Sequence, residues 1–326
     1  MVGAGAAEAG RAGKPAEHRV EAIFGFASDG GGRPKKPSPL FSFNAERNPD
    51  GGRGFVVRNG LNKWGFGPID CRGWLVCLAR VRLRLFMTGK IKKTLDHHPL
   101  VVGTIHSKGA LQRALRLRRG EVDILELRMD AFFGETGVLL KSIPKLPAPL
   151  LLTVRHPREG AMAALSLDER RELFGQFLPL CEWMDVEVRS LRQLAPVIAR
   201  ARDMGVRLIV SDHHFARTPA MEVLRRRLKL AQRVEPDVIK VAAAAKSPRD
   251  LSRLLDFLVT GPRGRLAVMG MGRYGQVSRL VLGSCGSVLN YGYLHEALVP
   301  GQWEATELKK RLMEVGANGL PSFRER

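Results

Sequence analysis

Short apolar runs alternate with amphipathic stretches along the chain from residue 100 onward. The runs are rich in valine, isoleucine and leucine and are short for helices, so they predict buried strands. The pattern predicts eight strands: Leu100–Ile105, Val122–Met129, Leu150–Arg155, Trp183–Val188, Val206–His213, Val238–Ala243, Leu266–Met271 and Ser287–Tyr293.

The segments between these runs have helical periodicity. Examples are "SLDERRELFGQFLPLC" and "SPRDLSRLLDFLVTG", and several such segments open on Ser or Thr and end at Gly, as helices commonly do. A strand followed by a helix eight times over predicts an α/β protein with a closed parallel (β/α)8 barrel of the TIM type. A doubly wound open sheet is the alternative, but "GTIHSKGA" after the first strand lacks the glycine-rich phosphate fingerprint of that fold.

Residues 1–86 show neither of these periods. They are rich in glycine, including Gly30-Gly31-Gly32 and Gly51-Gly52, and this composition predicts a low-complexity, disordered leader before a catalytic barrel at 87–326. Met87 is a candidate true start, in which case the leader is an over-extended reading frame; a genuine disordered tail is the competing interpretation.

Composition limits the class of protein further. With 44% apolar residues and no run of about 18 apolar residues, the chain is expected to be globular and cytoplasmic, without a membrane partner. The four cysteines, at 71, 77, 181 and 285, lack zinc or disulfide spacing and are expected to be reduced. The net charge of +21 suits either a nucleic-acid binder or an enzyme for small anions.

The predicted strand ends carry polar residues, and in a barrel the carboxyl ends of the strands hold the chemistry. Lys240 lies inside the apolar run "VIKVA", and a buried lysine is either paired with a carboxylate or neutral, in which case it is a nucleophile toward carbonyls. A lysine that snorkels to water is the alternative. The other residues in this set are Glu126, Arg128, Arg155, Asp185, Glu187, His213, Met269 and Met271.

Each of these residues also has a purely structural interpretation. Glu126 and Arg128 face the same side of one strand and would suit an internal ion pair, and Asp185 and Glu187 need a cation. The methionines would suit a core, as would His213. Convergence of a lysine, a histidine, arginines and carboxylates on one rim nevertheless favours imine chemistry, in which the histidine removes a proton and the enamine expels a β-hydroxyl.

The chain resembles the type I 3-dehydroquinate dehydratases from about Pro99 to Met313. The resemblance rests on "DILELRMD", "TVRHPREG", "MDVEV", "SDHHFARTP", "DVIKVA", "MGMGRYGQVSR" and "PGQ", which occur in the family's order. It implies a (β/α)8 barrel that converts 3-dehydroquinate to 3-dehydroshikimate and water in the shikimate pathway. It also implies no metal or cofactor, no nucleic-acid partner, and a homodimer.

The resemblance assigns roles to individual positions. Lys240 falls at the imine-forming position, His213 at the general acid/base, and Glu159 at the carboxylate that orients the imidazole. The substrate-contacting positions are Glu126, Arg128, Arg155, Arg279 and Gln302. Met269 and Met271 fall where the family lines the pocket, and Asp185 and Glu187 are expected to support the site.

Three features depart from the family. Leu298 occupies the usual serine position four residues before Gln302, so a hydrogen bond to substrate is expected to be missing. The family's Asn-His-Asp-Phe reads Asp212-His213-His214-Phe215 here, although His213 keeps its register. Nothing in residues 1–86 resembles the family.

Two other functions remain open on the sequence. Another lysine-imine lyase of the aldolase type would share the fold and Lys240, but it fits "SDHHFARTP" and "MGMGRYGQVSR" less well. A catalytically impaired, basic binding protein would fit the net charge and Leu298, but not the full set of lysine, histidine and glutamate.

Overall fold

A computed structural model describes residues 99–317 of the chain. The predicted leader at 1–86, the candidate start Met87 and the cysteines at 71 and 77 lie outside the described residues. Of the two cysteines inside this range, Cys181 is buried and Cys285 is exposed. No helix within residues 99–317 is long and apolar enough to cross a membrane.

Eight parallel strands form one sheet in the order β7-β6-β5-β4-β3-β2-β1-β8. The strands are β1 (Leu100–Ile105), β2 (Ile124–Arg128), β3 (Leu150–Thr153), β4 (Trp183–Glu187), β5 (Arg207–His214), β6 (Val238–Ala244), β7 (Leu266–Met271) and β8 (Leu289–Tyr293). The helices that follow them in turn are α1 (Lys108–Arg116), α2 (Thr136–Ser142), α3 (Leu167–Phe177), α4 (Ala195–Asp203), α5 (Met221–Gln232), α6 (Pro248–Thr260), α7 (Gly275–Ser284) and α8 (Ala305–Ala317). The predicted (β/α)8 architecture is confirmed, and the open-sheet alternative is wrong.

The predicted bounds of β1 and β7 match the structure, and the other six strands differ at one or both ends. The β2 prediction was too long at both ends, and those of β3 and β4 ran too far, because the chain turns away from the barrel there. Short 3-10 turns at Met129–Ala131 and Val188–Ser190 follow β2 and β4 directly. The predicted β5 began and ended one residue early, β6 extends one residue further, and β8 begins two residues later.

Alternation along each strand divides the core into two layers. On β1, Leu100 and Val102 belong to the cluster inside the barrel, whereas Val101 and Ile105 pack with the outer cluster between strands and helices. Polar side chains replace apolar ones at the carboxyl ends of the strands. The inward-facing positions there are the ones that form the site.

Serine caps fix the start of several helices, as the sequence predicted. Ser166 and Ser247 each form a capping box, with Glu169 and Asp250 respectively, and Ser107 accepts a hydrogen bond from the first turn of α1. Each cap satisfies an amide that the helix itself leaves free.

Candidate active site

A cavity of about 260 Å³ opens at the carboxyl ends of the strands. Eleven residues singled out in the sequence line it: Glu126, Arg128, Arg155, Glu159, His213, Lys240, Met269, Met271, Arg279, Leu298 and Gln302. Asp185 and Glu187 do not border the cavity, but both are fully buried beside it. The strand-end pattern and the family resemblance together therefore identified most of the wall of this cavity.

Lys240 on β6 is 4% exposed and points into this cavity. Its Nζ lies 3.1 Å from Asp185 Oδ2 and 3.9 Å from the centre of the Tyr291 ring. Burial lowers the pKa of the Lys240 ammonium, although the carboxylates of Asp185 and Glu126 oppose that shift. Lys246, which follows the apolar run of β6, is exposed by contrast.

Arg155 is the cation that the two acids of β4 require. Its Nη1 donates to Asp185 Oδ1 at 3.1 Å and to Glu187 Oε1 at 3.2 Å. Burial alone would lower the pKa of Arg155, but these two carboxylates and Glu126 hold it well above its ordinary value. Arg170 on α3 donates to the other oxygen of Glu187 at 2.7 Å. Asp185 thus has Arg155 as a cationic partner in addition to Lys240.

His213 is held by the predicted carboxylate. Its Nδ1 lies 2.9 Å from Glu159 Oε2, and the Nε of Arg189 donates to Glu159 Oε1 at 2.7 Å. Burial, followed by the positive charges of Arg155 and Lys240, holds the pKa of the His213 imidazole well below its ordinary value. A neutral imidazole has one nitrogen free to accept a proton.

The neighbouring His214 makes a different set of contacts. Its Nε2 lies 2.8 Å from Asp212 Oδ2, which also accepts from Arg227 Nε at 2.8 Å. His214 does not border the cavity. The acid that replaces the family's asparagine is therefore neutralised by Arg227 and does not touch His213.

The internal ion pair expected as one interpretation of Glu126 and Arg128 does not form. Arg128 donates to both oxygens of Asp130, at 3.0 and 2.8 Å, and to the Gly160 carbonyl. Glu126 instead accepts from Thr104 at 3.0 Å and Thr153 at 2.8 Å. The chain turns after β2, and this turn brings Asp130 rather than Glu126 to the guanidinium.

Arg279 on α7 differs from the other two arginines of the cavity. It is 1% exposed, and its Nε and Nη1 donate to the carbonyls of Tyr291, Gly270, Gly275 and Gly301 at 2.9 to 3.0 Å. No carboxylate within residues 99–317 forms an ion pair with it, and burial lowers its pKa to about 10. It remains a cation at neutral pH whose charge no acid of the described chain balances.

Gln302 and Leu298 both belong to the β8–α8 loop, residues 294–304. The Gln302 side-chain oxygen accepts from the Leu298 amide at 2.8 Å and the Val299 amide at 3.3 Å. The amide nitrogen of Gln302 is therefore the end available to a bound molecule. The Leu298 side chain is partly buried against the cavity and offers no polar atom.

Sequence reasoning missed several members of the site. Arg189, Asp130 and Ser211 contact the predicted residues, and Tyr291 places its ring against Lys240. Arg189 follows Glu187 by two positions in "MDVEVRS" and Asp130 follows Arg128 by two in "LRMD", so charge spacing after a strand end was the available signal.

The fold and this cavity define a (β/α)8-barrel enzyme in which a buried lysine and an uncharged histidine share one pocket. The chain belongs to the type I 3-dehydroquinase family, whose sequence model matches residues 99–318. It is 33% identical over 201 residues to the 3-dehydroquinate dehydratase of Aquifex aeolicus, covering 59% of this chain and 89% of that protein. The corresponding protein of Methanocella arvoryzae is 32% identical over 225 residues, covering 68% and 99%.

Solved structures agree with this assignment. Type I 3-dehydroquinate dehydratase from Clostridium difficile, with covalently modified comenic acid, superposes with a TM-score of 0.62 at 26% identity, covering 69% of this chain and 94% of that one. The enzyme of Geobacillus kaustophilus gives 0.62 at 26% identity, covering 68% and 92%. The chain's activity is accordingly that of a 3-dehydroquinate dehydratase, a hydro-lyase.

Proposed function

We propose that this chain dehydrates 3-dehydroquinate to 3-dehydroshikimate through an imine on Lys240, as a step of the shikimate pathway. The observation that carries the proposal is one cavity lined by a buried lysine of lowered pKa, a histidine of lowered pKa, and an arginine without an acid partner.

The lysine forms the imine. A neutral Lys240 amine adds to the ketone of the substrate and expels that oxygen as water, leaving a C=N bond that is protonated on nitrogen. Asp185, 3.1 Å from Nζ, balances the iminium charge, and the face of Tyr291 adds cation–π stabilisation. Arg155 keeps Asp185 ionised during both the neutral and the charged stages of the lysine.

The histidine moves the protons. The iminium acidifies the adjacent C–H, and His213 takes that proton to give an enamine. The enamine then expels the β-hydroxyl, which leaves as water with the proton that His213 returns. Water hydrolyses the remaining imine and frees Lys240. One water is consumed and two are released, so the net change is loss of one water, as dehydration requires.

The arginine without an acid partner holds the substrate carboxylate. Buried cations bind anions most strongly where no protein carboxylate competes, and Arg279 is the cavity arginine that meets this condition. Arg128 and Arg155 are engaged by Asp130 and by the acids of β4, so they are better placed to contact hydroxyl oxygens with their remaining donors. Glu126 and the amide nitrogen of Gln302 complete the polar wall.

Borohydride trapping tests the proposal. Reduction of the enzyme with 3-dehydroquinate should leave an adduct on the peptide that contains Lys240, and Lys240→Ala should abolish both the adduct and turnover. Lys246→Ala is the matched control, because Lys246 is exposed and lies outside the cavity, and it should retain activity. The enone product, followed in the ultraviolet, separates dehydration from aldolase-type cleavage. An adduct on Lys246, or full activity of Lys240→Ala, would remove the mechanism.

We propose further that the enzyme is a homodimer in the cytoplasm. The support is the family tendency, together with the exposed apolar side chains of Phe133, Val138 and Leu140 near α2. Light scattering at micromolar concentration should give twice the chain mass. A monomer under these conditions would contradict the dimer.

A further inference from the structure

The carboxylate that holds the histidine is shared with a second cation. Glu159 places Oε2 2.9 Å from His213 Nδ1 and accepts from Arg189 Nε at Oε1, 2.7 Å away. The Glu159 side chain is 1% exposed, whereas that of Arg189 is 36% exposed. Arg189, Glu159 and His213 therefore form a line that runs from the protein surface to the cavity.

Arg189 does not border the cavity. It lies on the 3-10 turn Val188–Ser190, which follows β4 directly. Any influence on the reaction must therefore pass through Glu159. Arg189 does not have to contact the substrate to exert this influence.

Glu159 needs a cation to remain ionised at this depth. Burial raises its pKa, and the hydrogen bond from Arg189 is the largest influence that lowers it. A protonated Glu159 would lose one of its two acceptor oxygens to a donor hydrogen, and His213 would lose the partner that keeps a proton on Nδ1. The imidazole could then carry its proton on Nε2 instead of Nδ1. In that tautomer Nε2 cannot accept the proton of the substrate.

Other charges also act on this line of residues. Arg155 lowers and Asp212 raises the pKa of Glu159, and Arg227 lies close enough to interact with it. His213 is influenced by Arg155, Lys240, Asp185 and Glu187. The other cations named here pair with different carboxylates, Arg155 and Lys240 with Asp185 and Arg227 with Asp212, so Arg189 is the cation dedicated to Glu159.

We propose that Arg189 is a positioning residue of the dehydration reaction, which holds Glu159 as an oriented anion so that His213 keeps Nδ1 protonated and Nε2 free. This inference rests on the proposed acid/base role of His213. It adds a third member to the histidine–carboxylate pair, and it assigns a function to a residue outside the cavity.

The test is Arg189→Gln, measured for kcat and KM across pH. Loss of a partner that orients a metal-bound histidine costs about 10- to 100-fold in activity. By analogy we expect a fall of that order in kcat, with KM changed less than about threefold. The sign of the pH effect follows from Glu159: without Arg189 its pKa rises, so the protonated, inactive form persists to higher pH. The acidic limb of kcat/KM should therefore move to higher pH.

Three comparisons make the result specific. Arg189→Lys keeps the charge and should recover part of kcat and of the pH profile. Arg171→Gln removes another partly exposed arginine, paired with Asp168 at 3.0 Å, and should leave both unchanged. Melting temperature is measured for all three, because Arg189 is partly exposed and the Gln variant is expected to fold.

An acidic limb that does not move in Arg189→Gln overturns the inference, whether or not kcat falls. If the Gln variant does not fold, Arg189→Met, which removes the charge and keeps a side chain of similar reach, is measured in its place, and no displacement there also overturns the inference. Borohydride trapping on Lys240 should persist in every variant. Failure of the underlying mechanism is recognised separately, since the unchanged protein would then give no Lys240 adduct.

Discussion

Three guanidinium groups border the cavity. The groups that neutralise each one determine whether its removal affects folding stability or substrate binding. Arg128 and Arg155 are paired with buried carboxylates, so truncating either leaves uncompensated buried negative charge, which typically costs 3–5 kcal/mol. Variants at these positions report on folding before they report on substrate. Arg279 has only carbonyl partners, so its charge is available to an anion.

The two adjacent histidines provide a sharp comparison at the level of single residues. His213→Ala is expected to lower kcat by about 10²- to 10⁴-fold, the range for a positioned acid/base, while the imine on Lys240 still forms and can be trapped. His214→Ala is the control, and it should cost far less because His214 contacts Asp212 outside the cavity. The reverse order of effects would mean that the register through "SDHHF" is off by one.

The lowered pKa of His213 also predicts the pH profile of the unaltered enzyme. As pH falls through this pKa the imidazole takes up a proton and can no longer accept one from substrate, so kcat/KM falls. Because burial and the charges of Arg155 and Lys240 depress that pKa, the fall should occur well below the ordinary histidine value of 6.5. A profile that falls near 6.5 would mean that His213 is more solvated than this cavity implies or that Glu159, whose pKa burial raises, sets the acidic limb.

Leu298→Ser tests the departure in the β8–α8 loop. A leucine can neither donate nor accept, so a substrate oxygen at this side of the cavity lacks a partner, at about 0.5–1.5 kcal/mol for one neutral hydrogen bond. Restoring the serine should lower KM by roughly 2- to 13-fold, with a smaller change in kcat if the bond is equally strong in the transition state.

The competing account of Leu298 is apolar packing. Its side chain is partly buried beside Val299, and both line the cavity with Met269 and Met271. If that contact holds the loop over the substrate, serine would loosen the loop and raise KM. A raised KM would therefore contradict the missing hydrogen bond and leave the reaction itself unaffected.

Predicting this site from the sequence succeeded where a single strand carries the information. The strand period of two placed Lys240 and Met269 on the inward face, and the family resemblance then gave each of them its role in the site. Arg189 and Glu159 are 30 positions apart, and their contact depends on how two loops fold over adjacent strands. No local period encodes such a pairing, so the sequence did not predict it.

At the scale of elements, the strand ends were the least predictable part. Apolar residues continue past β2 and β4, so hydrophobicity alone extended both strands into the turns that follow. Those turns hold Asp130 and Arg189, the two charged residues that the site gained. The exact end of each of these strands therefore matters for the site, because the first residues after it hold cavity residues in place.

The seam between β7 and β8 is closed partly by side chains. One backbone bond joins Val288 N to Leu266 O at 2.9 Å, and the buried Ser287 hydroxyl accepts from Val268 N at 2.9 Å and donates to Val268 O at 3.1 Å. Near the cavity, Arg279 bridges the carbonyls of Gly270 on β7 and Tyr291 on β8. The arginine proposed to bind substrate is thus also a structural link of the barrel.

Ser287→Ala tests how much the side chains of this seam contribute. Removing the hydroxyl leaves the buried Val268 amide without its acceptor, which should lower the free energy of unfolding by about 1–3 kcal/mol. Ser284→Ala is the control, because that hydroxyl donates only to the Leu280 carbonyl within α7. Its removal should cost less than about 0.5 kcal/mol. Urea unfolding measures both, and equal effects would show that the Ser287 bonds do not hold the seam.

At the scale of the whole molecule, the net charge of +21 takes on a different meaning once the structure is considered. Many of the arginines lie on exposed helix faces, as in "LRRRLKL" of α5, but those of the cavity are buried and engaged. The charge is consistent with attraction of an anionic substrate toward the barrel. A steep fall of kcat/KM with added salt would support steering of this kind, and a flat dependence would contradict it.

The predicted boundary at Met87 implies that the barrel does not need residues 1–86 in order to fold or to act. Residues 99–317 contain all eight strands, and β1 pairs with β2 on one side and β8 on the other, so the first strand has no open edge. A chain that begins at Met87 should therefore keep the melting temperature and turnover of the full chain. A second chain beginning at residue 103, which removes half of β1 from both ladders, serves as the destabilised control and should not fold. If the Met87 chain loses stability or activity, the leader packs against the barrel, and the boundary between leader and catalytic domain would have to be placed earlier in the sequence.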